Sequence, residues 1–174
     1  MFKLISKTIA AVAIVSVALF GSANAKTLKI ETHFTASSPN GEVAAQFAKN
    51  VEIFSGGSLK VEMFYSSSVT GKSAEVFNSA QTGIIDCDMT GAGYQTGKNA
   101  AFQFAGDVMG GYDNPYQQYD FLKFPGAQEA VDALYNKYGM TLIGWWIPGH
   151  ESLISSKPIP DVASIKDFKF RSPP

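Results

Sequence analysis

Polar and apolar residues alternate through Thr27-Leu28-Lys29-Ile30-Glu31-Thr32, the period of a strand with one face turned inward. A Ser-rich turn with Pro39 follows, and Asn40 stands where a side-chain oxygen would cap a helix. Val43, Phe47, Val51 and Phe54 then recur at helical spacing until Gly56-Gly57 closes the segment. Leu59 to Tyr65 predicts a second strand, Ser66-Ser67-Ser68 a loop, and Ser73 to Thr82 a second helix stopped by Gly83. Ile84 to Thr90 is more continuously apolar, as a deeply buried strand would be. Strand, helix, strand, helix, strand is the order of a parallel α/β sheet with helices on its faces.

The second half of the chain is less regular. Asn114 to Phe124 has helical character. Gln128 to Tyr138 is a stronger helix, with Ala130, Leu134 and Tyr138 on one face and Gly139 as its stop. Met140 to Trp146 predicts another strand, broken by Pro148-Gly149, and Ser152 to Ser156 extends again. Val162 to Asp167 has room for one helical turn, and Phe168 to Arg171 is extended.

The amino end has a different pattern. Lys3 and Lys7 make a basic start, Thr8 to Phe20 is apolar except for Thr8 and Ser16, and Ala23-Asn24-Ala25 has the small-x-small form of a cleavage site. The run is shorter than a membrane span needs, so residues 1–25 predict a signal peptide cleaved after Ala25 and a periplasmic mature chain starting at Lys26. Cys87, the single cysteine, lies far from the leader, which excludes a lipid-anchored start and an internal disulfide.

Removing residues 1–25 leaves 149 residues with 12 basic and 15 acidic side chains, an acidic balance that argues against nucleic acid as a partner. Enzyme signatures fail in turn. Two histidines, His33 and His150, make no HExxH zinc site, and neither a GxSxG elbow nor a P-loop occurs. Gly91-Ala92-Gly93 lacks the third glycine of a dinucleotide fingerprint. Asp86 and Asp88 share one face of a strand and are expected to accept backbone hydrogen bonds rather than to bind metal or exchange protons. Cys87 between them is expected to be a buried structural thiol. No catalytic residue, metal or cofactor is expected.

Both tryptophans sit side by side at a predicted strand end, in Gly144-Trp145-Trp146-Ile147-Pro148-Gly149-His150-Glu151. Strand neighbours point to opposite faces, so one ring can enter the core while the other meets a cleft. In open α/β sheets ligands sit beyond the carboxyl ends of the strands. The segments there, Thr35 to Asn40, Ser66 to Ser68, Gly91 to Tyr94 and Trp146 to Glu151, carry the hydroxyls, amides and aromatics a small polar ligand needs.

The order and spacing of several further segments are similar to those of the extracytoplasmic solute receptors of tripartite ATP-independent periplasmic (TRAP) transporters. They are Leu28 to Asn40, Gly57-Ser58-Leu59-Lys60-Val61, Gln81-Thr82-Gly83 before Ile85-Asp86, Tyr138-Gly139-Met140, Ser155-Ser156-Lys157-Pro158-Ile159 and Ile165 to Arg171. The resemblance implies an α/β, periplasmic-binding-protein-like two-lobed fold, present here mostly as the first lobe, with a mainly parallel sheet flanked by helices. It implies capture of a small organic acid for delivery to TRAP membrane permease subunits, without ATP. Receptors of this kind continue past the motif matching Arg171, so residues 26–174 are expected to be an N-terminal lobe and first crossover. The alternatives are a periplasmic enzyme on a similar scaffold or a truncated remnant that binds nothing. Arg171 matches the arginine that grips the ligand carboxylate, and His150 and Glu151 fall where such receptors place a second polar contact. With Trp146, Tyr94, His33 and Ser67 they make up the expected ligand-binding set.

Overall fold

The computed structural model describes residues 25–106, 108, 110–147 and 152–171. Residues 1–24, and with them most of the expected signal peptide, lie outside the described residues.

Among the described residues three parallel strands form the sheet, in the order β2-β1-β3: β1 is Lys26–Thr32, β2 is Leu59–Phe64 and β3 is Cys87–Met89. This is the parallel α/β arrangement the alternation predicts. β1 lies in the middle and buries Ile30, Glu31 and Thr32.

Helix α1 (Pro39–Phe54) crosses back from β1 to β2. Ser38, not Asn40, caps it: Ser38 Oγ accepts from the Gly41 N–H at 3.1 Å. Pro39 explains the shift, because proline has no N–H to satisfy and fits the first helical position. The buried face also differs from the expected one. Gly41, Ala44 and Ala48 face inward, whereas Val43 and Phe54 are exposed. Gly41 decides this, because a Cβ there would collide with the Thr35 carbonyl oxygen. The helix lies so close to the preceding loop that only small side chains fit. Gly56 and Gly57, both at positive φ, end the segment as predicted.

A 3-10 turn (Ser73–Glu75) leads into the short helix α2 (Val76–Gln81), and Gly83 at φ +76° turns the chain out. β3 is shorter than the expected Ile84 to Thr90. The N–H groups of Ile84 and Ile85 both turn back to the Ser79 carbonyl at the end of α2, which withholds them from the ladder. Ile85 is buried nonetheless, while Ile84 is exposed.

A second body of packing lies beside the sheet. Phe77, Ala92, Phe102, Ala105, Val131 and Leu134 form its centre, with Tyr135, Tyr138, Met140, Leu142 and Trp145 against it. Its elements are 3-10 turns Ala92–Gln95 and Ala100–Ala105 and helices α3 (Pro115–Lys123) and α4 (Ala127–Asn136). Asn114 Oδ1 caps α3 by accepting from the N–H groups of Tyr116 and Gln117. Phe77, Phe102, Tyr135 and Tyr138 meet mostly edge-on or tilted, at centroid distances of 5.2–6.0 Å. That range favours aromatic attraction.

Met140 to Trp146 does not form the expected strand. Its alternation is real, with Leu142 turned inward between exposed Thr141 and Ile143, but no ladder pairs its backbone. The segment is an extended strap held by side chains. Ser152 to Ser156 and Phe168 to Arg171 likewise belong to no sheet, and Val162–Ile165 is the single 3-10 turn expected, capped by Asp161.

Candidate functional site

The carboxyl ends of β1, β2 and β3 open onto the same edge of the molecule, and β1 sets its centre. Directly after Thr32 the chain presents His33 and Phe34, whose rings lie 3.8 Å apart. His33 meets Tyr94, on the turn after β3, edge-on at 5.2 Å. Phe34 meets Trp146, from the strap after α4, at 4.8 Å. These rings brace the loop after β1 to the loop after β3 and to the strap.

The two tryptophans diverge as strand alternation predicts. Trp145 packs on the core around Phe77 and Phe102, and Trp146 lies on Phe34 at the carboxyl edge. Burial lowers the pKa of His33, so its imidazole stays neutral to lower pH than an exposed one. His33 Nδ1 and Trp145 Nε1 are buried and have no hydrogen-bond partner among the described residues.

The loop after β2 is the second wall. Ser66 and Ser67 both adopt positive φ, 58° and 51°, an uncommon conformation for residues with a side chain. Two backbone bonds hold them there: Ser66 N–H donates to the Phe34 carbonyl at 2.9 Å and Ser67 N–H to the Thr32 carbonyl at 3.0 Å. Ser67 is buried, and its hydroxyl lies 3.3 Å from that of Ser73. Further along, the N–H groups of Val69 and Thr70 donate to Glu31 Oε1 at 2.6 and 3.3 Å. A carboxylate in the middle of the sheet therefore anchors the loop that carries Ser67.

The structure thus brings four sequence-predicted residues, His33, Ser67, Tyr94 and Trp146, to one edge. His150 and Glu151 lie outside the described residues. Arg171 is exposed at the end of an extended stretch, where Phe168 and Phe170 pair at 6.0 Å. No hydrogen bond among the described residues joins Arg171 to the aromatic brace. Sequence reasoning missed Phe34, which it placed in a polar turn, and the anchoring role of Glu31. Asp86 behaves as expected, accepting from the Lys29 N–H at 2.9 Å. Asp88 does so in part: the Thr90 backbone bonds its carboxyl, while Oδ1 is buried and has no partner among the described residues. Cys87 is half-buried rather than buried, and burial, then Asp86 and Asp88, push its thiol up, away from nucleophilic reactivity. Among the described residues no group of three or more His, Cys, Asp or Glu could hold a metal ion, and no helix is long and apolar enough to cross a membrane.

Comparison with known proteins sharpens the picture. The profile of bacterial extracellular solute-binding protein, family 7, matches residues 30–174. An apo, open TRAP periplasmic solute-binding protein from Rhodobacter sphaeroides is 29% identical over 84% of this chain and 46% of its own, with a TM-score of 0.68. One from Pseudoalteromonas atlantica, with bound sodium and pyruvate, is 20% identical over 67% of this chain and 35% of its own, TM-score 0.61. A third, from Bordetella bronchiseptica, holds copurified calcium and picolinate, at 21% identity over 66% of this chain and 34% of its own, TM-score 0.59. The chain therefore spans between a third and a half of the length of these proteins, and the two less similar ones speak to the fold alone.

Proposed function

This chain belongs to the bacterial extracellular solute-binding protein family 7, and on that footing we propose that it forms the first lobe of a periplasmic receptor for a small organic acid. The family match over residues 30–174 carries the reading, because it takes in every loop at the carboxyl edge of the sheet. Residues 26–174 are then the ligand-facing lobe and first crossover, exported by a leader cleaved after Ala25. The receptor hands its solute to TRAP membrane permease subunits and acts by binding, not by catalysis.

The chemistry of the edge fits such a ligand. His33, Phe34, Tyr94 and Trp146 offer ring edges and faces to the flat, short carbon skeleton of a small acid, and Ser67 a hydroxyl. Arg171 supplies the carboxylate anchor, since a guanidinium offers a planar fork of donors that matches two carboxylate oxygens. His150 and Glu151 contribute further polar contacts, and with Glu151 the site suits an acid that also carries a hydroxyl or amino group. Structural neighbours that hold pyruvate with sodium or calcium, and picolinate with calcium, support short or aromatic carboxylates as the ligand class.

The test is calorimetric titration of the purified protein with pyruvate, picolinate and their neutral amides, with and without calcium. Heat of binding for an acid and none for its amide is the expected result. Equal binding of acid and amide, or binding of neither at millimolar concentration, would sink the proposal.

A further inference from the structure

Glu31 and Asp88 are direct partners in the register between β1 and β3. Partners in a parallel ladder project to the same face, and neighbouring strands lie about 4.7–4.9 Å apart. Glu31 is wholly buried, and the Asp88 carboxyl oxygen Oδ1 is shut off from solvent. Glu31 Oε1 is satisfied by the Val69 and Thr70 N–H groups, but Glu31 Oε2 and Asp88 Oδ1 have no partner among the described residues. Two ionised carboxylates so placed, one wholly and one partly buried, would each leave an oxygen unpartnered and would repel each other, a costly arrangement in a core. One proton on the pair removes a charge.

We propose that Glu31 and Asp88 share a single proton and that the pair is a pH-sensitive clamp on the loop from Ser66 to Gly71, which borders the candidate site. The proton resides on Asp88. Two backbone N–H groups donate to Glu31 Oε1, whereas Asp88 Oδ1 has no partner among the described residues. Burial first, and Glu31 to a lesser degree, push the Asp88 carboxyl up to about 6, against the pull of Thr90. Thr90 pulls the other way through its hydroxyl and its backbone, yet Asp88 Oδ1 has no partner among the described residues. The other groups around Asp88 do not replace the proton. Tyr135 of α4 is pushed up by burial and then by Asp88, and stays protonated. Cys87 beside it is also held protonated, with Lys26 acting on that thiol, and Asp86 is tied to the Lys29 N–H. Helix α2, packed against β3, carries no ionisable side chain.

The folded chain therefore holds a proton that the unfolded chain releases near the ordinary aspartate value of about 4. The stability this confers is fully present below that value and lost as pH rises through about 6. Above that pH the second charge repels Glu31 and weakens its hold on Val69 and Thr70, so the loop loosens. None of this depends on which solute the receptor takes.

Thermal melts of the purified chain between pH 5 and pH 7.5, beside Asp88→Asn, provide one test. An asparagine amide can donate to Glu31 Oε2 without titrating. The melting temperature should fall by about 5–10 °C more in the unsubstituted chain than in the variant. A second measurement needs no variant: carbon NMR of the Asp88 carboxyl should show a midpoint near 6, with faster amide exchange at Val69 and Thr70 above it. A midpoint near the ordinary value of about 4, or parallel melting profiles for the two chains, would overturn the proposal. So would stabilisation by calcium or sodium at pH 7.5 that Asp88→Asn abolishes, because a cation would then occupy the place of the proton.

Discussion

The Phe34 and Trp146 rings lie 4.8 Å apart, centroid to centroid, and join the end of the central strand to a strap that makes no backbone ladder of its own. Side-chain contact, rather than sheet hydrogen bonding, thus positions Trp146 at the carboxyl edge. The two rings should be energetically coupled. A double-mutant cycle of Phe34→Ala and Trp146→Ala, read by denaturant melts, is expected to give a coupling of about 0.5–1.5 kcal/mol. Strict additivity of the two losses would show that the rings do not hold the strap.

Gly41 is where α1 and the loop after β1 come closest. A methyl group there meets the carbonyls of Thr35 and Ala36, both backbone atoms that cannot swing aside. Although alanine is the better helix former, Gly41→Ala is expected to destabilise the chain by about 1–3 kcal/mol. Chemical denaturation of both forms checks this. An unchanged or raised midpoint would mean that the helix can retreat from the loop at no cost.

Arg171 is exposed and bound to nothing in the aromatic brace, so its loss should leave stability nearly unchanged. Its effect should fall on ligand affinity. Arg171→Lys keeps the charge but loses the planar fork. Hydrogen bonds to charged groups contribute about 1.5–3 kcal/mol, so carboxylate affinity should drop about ten- to a hundredfold. Titration of both forms with the same acid is the measurement, and equal affinities would remove Arg171 from the site.

How far the sequence could be read depended on the range of the interaction concerned. β1, β2 and the glycine stops rest on neighbours along the chain and are legible there. The cap of α1 was assigned to Asn40, whereas Pro39 at the first helical position makes the residue before it, Ser38, the cap. The buried face of α1 was misread because side-chain size pointed to Val43 and Phe54, while the close approach at Gly41 calls for small residues. For Met140 to Trp146 the alternation told which side chains turn inward, but a ladder requires a partner strand that no local pattern reveals. The opposite fates of Trp145 and Trp146 follow from alternation alone. The Glu31–Asp88 juxtaposition follows from the register of two strands far apart in sequence, which composition and spacing do not encode.

The amino-terminal sequence pattern makes its own prediction. Lys3, Lys7, the apolar run and Ala23-Asn24-Ala25 should direct cleavage so that the exported form begins at Lys26. Amino-terminal sequencing of periplasmic material checks it, and an intact Met1 would refute it.

The place of β1 in the sheet has a consequence for biogenesis. It is the first strand of the sheet to be synthesised, yet it lies between two partners that both come later, the second of them only at Cys87–Met89. A chain threaded amino end first through a translocation channel must hold β1 with both edges bare until its partners have emerged. Bare strand edges invite pairing with other chains, and long-range parallel pairing is slow to form. For a chain exported as proposed, the most vulnerable moment is therefore the interval between the arrival of its first and third strands on the far side of the membrane. Slowing that passage should raise aggregation even where the finished fold is stable.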